Sequence, residues 1–231
     1  TIPGEKEQLS VWEEATSFAK TIAILFVLAI FLRGTVVEAF KIPSGSMMPT
    51  LLIGDFILVN KYEYGLRLPV LHTKFVQNKT PQRGDIVVFR YPDDPSIPFI
   101  KRVVGVPGDK IAYYNKTLYI NDISVTQILN GRYNAVGSGY MMDGVSLRIE
   151  NLENAEHEIL VDPARGSIEL ETIVPEANYF VLGDNRDNSK DSRAWGFVPE
   201  ANLVGRAFMI WMNWDSKNGG IDFSRLGTII K

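Results

Sequence analysis

From about residue 40 onward the chain offers no helical run of useful length and is cut into short β-like stretches separated by turn residues. Asp55–Val59 and Gly84–Phe89 are the clearest, and Ile100–Val104 is a third that runs into the turn Pro107-Gly108-Asp109. Leu118–Ile120 and Ile123–Val125 flank Asn121-Asp122, the signature of a hairpin. Tyr179–Leu182 enters a polar loop at Gly183, and Leu203–Met212 is the last long apolar strand. Residues patterned this way bury their apolar side chains by stacking sheets, so this part is predicted to be mainly β. The stretch 111–177 differs in texture, being loop-rich between Gly131 and Gly144 and acidic at Glu150, Glu153, Glu156 and Glu158. We read it as a smaller β domain inserted into a larger one made of residues 38–110 and 178–231.

The N-terminal part follows another rule. Thr21–Leu32 reads TIAILFVLAIFL and carries no charge. It is short of the roughly 20 residues that span a bilayer, but it extends to 15–37 if Lys20 and Arg33 snorkel toward the headgroups. Its apolar residues cover every side of a helix, which favours lipid over the one-sided burial of a soluble helix. A buried helix and a signal peptide are the other readings, and no small-x-small cleavage site follows at once. We take 15–37 as a retained transmembrane anchor behind a flank of residues 1–14. Lys6 and Lys20 on one side and Arg33 and Lys41 on the other leave its orientation open. The chain opens on Thr1 rather than Met, which we read as a trimmed or processed N-terminus with a segment upstream.

Composition removes several function classes. A net charge of −3 gives no basic footprint, so nucleic acid is not an expected partner. There is no cysteine, hence no disulfide and no thiolate metal site. The two histidines, His72 and His157, lie outside any metal-ligand spacing, and neither a metal nor a cofactor is expected.

That scarcity of histidine gives weight to Ser44-Gly45-Ser46-Met47-Met48-Pro49-Thr50, which follows the apolar segment. Gly45 lets the backbone approach a substrate and Pro49 holds Met48 extended. Such a turn can present the Ser46 hydroxyl at a cleft and aim amide N–H groups at a developing oxyanion. Taken alone, a Ser-Gly-Ser turn is most often just a loop. A serine nucleophile also needs a base, and without a suitable histidine a lysine is the alternative. Lys101 sits in Phe99-Ile100-Lys101-Arg102-Val103-Val104 and, in a strand, shares a face with Phe99 and Val103. An ammonium on such a face is costly unless its pKa falls; a drop of roughly 2–3 units, worth roughly 3–4 kcal/mol, leaves a base poised near neutrality. The competing reading is an edge-strand lysine facing water. The loop Gly183 to Arg193 alternates acids and arginines, which suggests a rigid hydrogen-bonded structure. Within it Ser189 is placed to orient the lysine amine, and Asp191 with Arg193, and Asp184 with Arg102, are candidate supporting pairs.

Three separated segments then match one family. Ile42–Thr50, Arg83–Phe89 with Ile100-Lys101-Arg102, and Gly183–Ser189 with Asp191-Ser192-Arg193 resemble bacterial type I signal peptidase, over about Ala15 to Met212. The resemblance implies a membrane-anchored signal-peptidase-like β fold and a serine endopeptidase that removes signal peptides from exported preproteins after a small-x-small motif. It implies a place in the bacterial cytoplasmic membrane, with the catalytic domain on the outer, periplasmic face near the secretion translocon. By motif, Ser46 matches the nucleophile, Lys101 the general base and Ser189 the lysine-orienting residue. The Ser44 hydroxyl and Ser46 amide match the oxyanion hole. Phe40, Ile42, Leu51, Val88, Phe99 and Ile100 would line shallow pockets for small side chains at −1 and −3, and the substrate would dock as an extended strand. Many relatives carry a further N-terminal membrane segment, which this chain lacks or has lost. Trp211 and Trp214 fit either a membrane contact or core packing.

Two other readings use some of the same residues. An autocleaving repressor-type peptidase shares Ser/Lys chemistry, but it would carry a DNA-binding helical domain where this chain has its apolar run. A membrane-tethered β-rich binding module would leave Lys101 and the 183–193 loop without a role.

Overall fold

The computed structural model describes residues 12–26, 36–65, 78–135, 137–153, 155–215 and 219–230. Residues 27–35 of the expected anchor and His72 lie outside the described residues. A helix covers residues 12–26, with Trp12, Phe18, Ile24 and Phe26 exposed along it. Among the described residues no helix is long and apolar enough to cross a membrane. Val37, the expected end of the anchor, already belongs to a strand.

A nine-stranded sheet dominates the fold. Its strands are β1 (Val37–Lys41), β2 (Asp55–Asn60), β3 (Ile86–Arg90), β4 (Pro98–Gly105), β12 (Asn178–Leu182), β13 (Val198–Pro199), β14 (Leu203–Asp215), β15 (Gly220–Ile221) and β16 (Thr228–Ile229). The main path runs β1-β2-β14-β3-β4-β12-β13, with β15 and β16 added to β14. The runs Asp55–Val59, Gly84–Phe89, Ile100–Val104, Tyr179–Leu182 and Leu203–Met212 read from the sequence each overlap one of these strands, and β14 pairs with β2 along one edge and β3 along the other.

Residues between β4 and β12 form two smaller sheets. One joins β5 (Lys110–Tyr114), β6 (Thr117–Ile120), β7 (Ile123–Ser124) and β11 (Leu170–Ile173) in the order β11-β5-β6-β7. The other joins β8 (Gln127–Arg132), β9 (Ser146–Leu152) and β10 (Ala155–Val161) in the order β10-β9-β8. The Asn121-Asp122 turn has φ of 52° and 66° at its two residues, the left-handed pair that a tight two-residue hairpin requires.

Packing joins the segments. Ile111, Tyr113, Leu118 and Leu152 from the inserted stretch share a buried cluster with Val104, Phe180 and Leu182 of the large sheet. The two faces of β3 and β4 feed different clusters. Ile86, Val88 and Ile100 pack with Ile42, Met47 and Leu51, whereas Val87, Phe89, Phe99 and Val103 pack with Tyr179 and Val181. Lys101 falls on the second face, with its Nζ 5.5 Å from the Phe99 ring centre.

Because the Phe180 cluster spans both segments, Phe180→Ala is expected to cost about 3–5 kcal/mol. Chemical denaturation should give one cooperative transition in both parent and variant; a separate transition for residues 111–177 would contradict a shared core.

Candidate active site

β1 delivers the chain to Ser44, whose backbone is extended, and a 3-10 turn over Gly45–Met47 then presents Ser46. Met47, within the turn, and Leu51, after it, are buried in the cluster under the sheet and hold the turn there. Met48 has the extended backbone expected before Pro49.

On the neighbouring wall, β12 pairs with β4 at Arg102, Val103 and Gly105, with Leu182 opposite Arg102. The chain then turns away at Gly183, and the Ser46 turn lies against this loop. A Cβ at Gly183 would stand 2.5 Å from the Ser46 carbonyl oxygen and 2.2 Å from Ser189 Oγ, so only glycine allows the approach. Asn185 closes the contact, its amide donating to Ser46 O at 3.1 Å and its Nδ2 to Gly45 O at 2.9 Å.

Lys101 Nζ lies 2.8 Å from Ser46 Oγ and donates to its neighbour's carbonyl, Ile100 O, at 2.7 Å. The lysine is 4% exposed. Burial pushes its pKa down to about 8, with Asp191 and Asp184 partly offsetting the shift. Nζ donates to both oxygens, and once it loses a proton the amine can still donate to Ile100 O while accepting from the serine hydroxyl. Ser44 Oγ sits 3.4 Å from Ser46 Oγ, on the exposed side of the same turn.

Ser189 does not make the contact expected of it. Its Oγ is buried and without a hydrogen-bond partner, packed against Gly183, and the carbonyl of Ile100 holds the amine instead. Ile42, Leu51 and Val88 are buried in one cluster, with Phe40 and Ile100 partly buried against it. Phe99 packs in the other cluster, stacked on Tyr91 at 4.5 Å.

Both candidate supporting pairs form. Arg102 grips Asp184 through Nε at 2.9 Å and Nη2 at 2.8 Å, and its Nη1 donates to Gly84 O at 2.7 Å. Asp184 also accepts from Thr50 Oγ1 at 2.5 Å, which ties the serine segment to the same carboxylate. Burial alone would raise the Asp184 pKa, but the Arg102 charge and these hydrogen bonds hold it below the usual carboxylate range. Arg193 holds Asp191 through Nε and Nη2, both at 2.8 Å, and Asp191 accepts from the Gly183 amide at 3.0 Å.

Three contributors were not singled out from the sequence as parts of the site. Gly183 and Asn185 lie in a loop whose polarity hid their separate tasks, and Thr50 looked like the end of a motif. Among the described residues there is no cluster of histidine and carboxylate side chains fit to hold a metal ion.

The model of the family described as signal peptidase, peptidase S26, matches residues 15–214. A signal peptidase I of Pseudomonas aeruginosa is 44% identical over 98% of this chain and 84% of its own length. The Pseudomonas fluorescens protein of the same name is 46% identical over 97% of this chain and 81% of its own. A crystal structure of a signal peptidase I from Enterococcus faecalis V583 is similar at a TM-score of 0.37 and 31% identity, over 55% of this chain and 97% of that one.

Arg102→Met, which leaves Asp184 buried without a counter-charge, is expected to cost about 3–5 kcal/mol in thermal or chemical denaturation at neutral pH. Gly183→Ala should cut activity on the order of 10²-fold by displacing the serine turn, and a fully active variant would contradict the close approach.

Proposed function

The chain belongs to the signal peptidase family, peptidase S26, and is a serine endopeptidase that cleaves signal peptides from preproteins; on that premise we propose that Ser46 and Lys101 are its catalytic pair. The observation that carries this is the 2.8 Å contact between a buried lysine amine and a serine hydroxyl. It gives a base and a nucleophile in hydrogen-bond reach with no histidine between them.

The neutral Lys101 amine accepts the Ser46 proton as Oγ attacks the scissile carbonyl carbon. The oxyanion forms beside the Ser44 hydroxyl and the Ser46 amide, which donate to it. As the intermediate collapses, the Lys101 ammonium returns its proton to the departing amine, and the signal peptide remains as an ester on Ser46. Lys101 then takes a proton from water, which hydrolyses the ester and restores the serine. Asp184 and Asp191 keep the ammonium formed in each half-reaction from becoming prohibitive, while burial brings the lysine pKa down to about 8, so that the free amine is reached as pH rises through that value.

Selection of small side chains at −1 and −3 fits a shallow wall whose open surface comes from Phe40 and Ile100, both partly buried. Ile42, Leu51 and Val88, which are 2%, 0% and 2% exposed, pack behind them, so a bulky side chain meets a surface that cannot yield. Phe99, in the neighbouring cluster, flanks Lys101. The preprotein enters as an extended strand along the wall that leads from β1 to Ser46.

The same reading places the protein in the bacterial cytoplasmic membrane, with the site on the outer face where preproteins leave the translocon. The uncharged run 21–32 and the exposed Phe18, Ile22, Ile24 and Leu25 support an anchor that starts near residue 15 and ends before the strand that begins at Val37. Trp214 and Phe223 are 48% and 73% exposed and support contact of the catalytic domain with phospholipid.

On a preprotein with an Ala-x-Ala site, Ser46→Ala and Lys101→Met should both be silent. Lys101→Met should nevertheless melt at a higher temperature than the parent, because it removes a buried ammonium. The parent rate should rise with pH to a plateau with a midpoint near 8, since the lower pKa marks loss of the proton from the base. For stability the sign is the same: the folded lysine binds its proton less tightly than the unfolded one, so its contribution grows as pH rises from about 8 toward the ordinary lysine value of 10.5. Metal chelators should leave the rate unchanged, and inhibition by a chelator would count against this chemistry.

A further inference from the structure

The inserted sheets form the back wall of the 183–193 loop. Leu160 N donates to Asp184 O at 2.9 Å, and Leu160 makes a parallel bridge to Asn185. Asp187 is held by Lys116 Nζ and by the Asp162 amide, both at 2.8 Å. Arg186 Nη1 donates to Glu150 Oε1 at 2.7 Å and Nη2 to Oε2, and neither side chain has exposed surface. Residues 184 to 187 are thus each fixed from the inserted side, while Asn185 holds the Ser46 turn on the other. The same insert touches the serine segment directly, because Tyr133, Met142 and Leu160 share a buried cluster with Met48 and Leu52.

The Glu150–Arg186 pair stands apart within this wall because water cannot relax it. Gln127 Nε2 donates to Glu150 Oε1 at 2.9 Å, and His157 Nε2 lies 3.5 Å from Oε2. Burial alone would raise the Glu150 pKa, but the Arg186 and His157 side chains hold it well below the usual carboxylate range. Beyond Arg186 the linkage continues, since its carbonyl accepts from Arg193 Nη2, Arg193 grips Asp191, and Asp191 holds the Gly183 amide. One carboxylate of the insert therefore sits behind both ends of the loop that meets Ser46.

We propose that Glu150 is a positioning residue for the hydrolysis: through Arg186 it fixes Asn185 and Gly183 against the Ser46 turn, so that the inserted sheet sets the distance between nucleophile and base. The proposal rests on the Ser46/Lys101 reading. A displacement of about 1 Å at a reacting atom costs on the order of 10²-fold in rate, so this support belongs to the chemistry as well as to folding.

The test uses the full chain in detergent with an Ala-x-Ala preprotein. Glu150→Gln alone leaves Arg186 buried and unpaired, so the informative variant is Glu150→Leu combined with Arg186→Met, which removes both charges of the pair. We expect it to melt near the parent temperature, with kcat reduced on the order of 10²-fold and KM nearly unchanged. The pH–rate midpoint should move upward from about 8 as water reaches Lys101, a change that a smaller folded fraction would not produce. A folded double variant with parental kcat, or one whose loss lies wholly in KM, overturns the proposal. If that variant does not fold, Glu150→Asp decides, because it keeps the charge but withdraws it by one methylene: lowered kcat at constant KM supports positioning, and parental kcat removes it. Ser46→Ala, run in parallel, keeps the two readings apart, since residual cleavage there would sink the active-site assignment whatever the Glu150 variants do.

Discussion

The Arg102–Asp184 ion pair is the interaction on which the rest depends. It joins the strand that carries Lys101 to the loop that meets Ser46, and Thr50 brings the serine segment to the same carboxylate. Three stretches far apart in sequence converge on one point with no exposed surface. A pair so buried contributes modestly to net stability, because desolvation offsets most of the attraction. Its value is geometric, since losing either partner strands a charge and removes the reason for the three segments to meet. The β4–β12 ladder places the two charges within reach, and Arg102 reaches back to Gly84 O at the entrance to β3.

Lys101 shows how the fold turns burial into chemistry. The strand pattern that buries Phe99 and Val103 also buries the amine, and the protein offers it a carbonyl and a hydroxyl without a directly bonded carboxylate. Asp184 and Asp191 remain close enough to act through space but are occupied by Arg102 and Arg193. The arginines absorb the acids that would otherwise raise the lysine, which leaves its basicity set mainly by desolvation.

Much of this was legible in the sequence because it is local. Alternation and turn residues located β2, β3, β4, β12 and β14, and the apolar neighbours of Lys101 marked an unusual lysine. The pairs Arg102–Asp184 and Arg193–Asp191 followed from the density of opposite charges. What escaped depended on distance between chain segments. β8, β9 and β10 carry polar residues on much of their surface, so no pattern separates Glu150, which is fully buried, from the exposed Glu156. Ser189 was expected to hold the lysine amine, but a backbone carbonyl, invisible to any pattern of side chains, holds it. Gly183 and Asn185 gain meaning only once Ser46 lies against them.

Lys101 and Arg102 are consecutive on one strand, and the alternation of β4 sends them to opposite sides. One carries out proton transfer and the other holds the scaffold. Register is therefore part of the chemistry: a slip of one residue in β4 would offer Ser46 a guanidinium, which cannot lose its proton in any physiological range, and would leave Asp184 facing an amine. Such a molecule could keep its composition, its charge and most of its sheet and still be inert. The stretch from Pro98 to Gly105 should tolerate substitutions that preserve shape far better than a single inserted or deleted residue, and an evolving lineage would find its freedom in the length of the loops on either side.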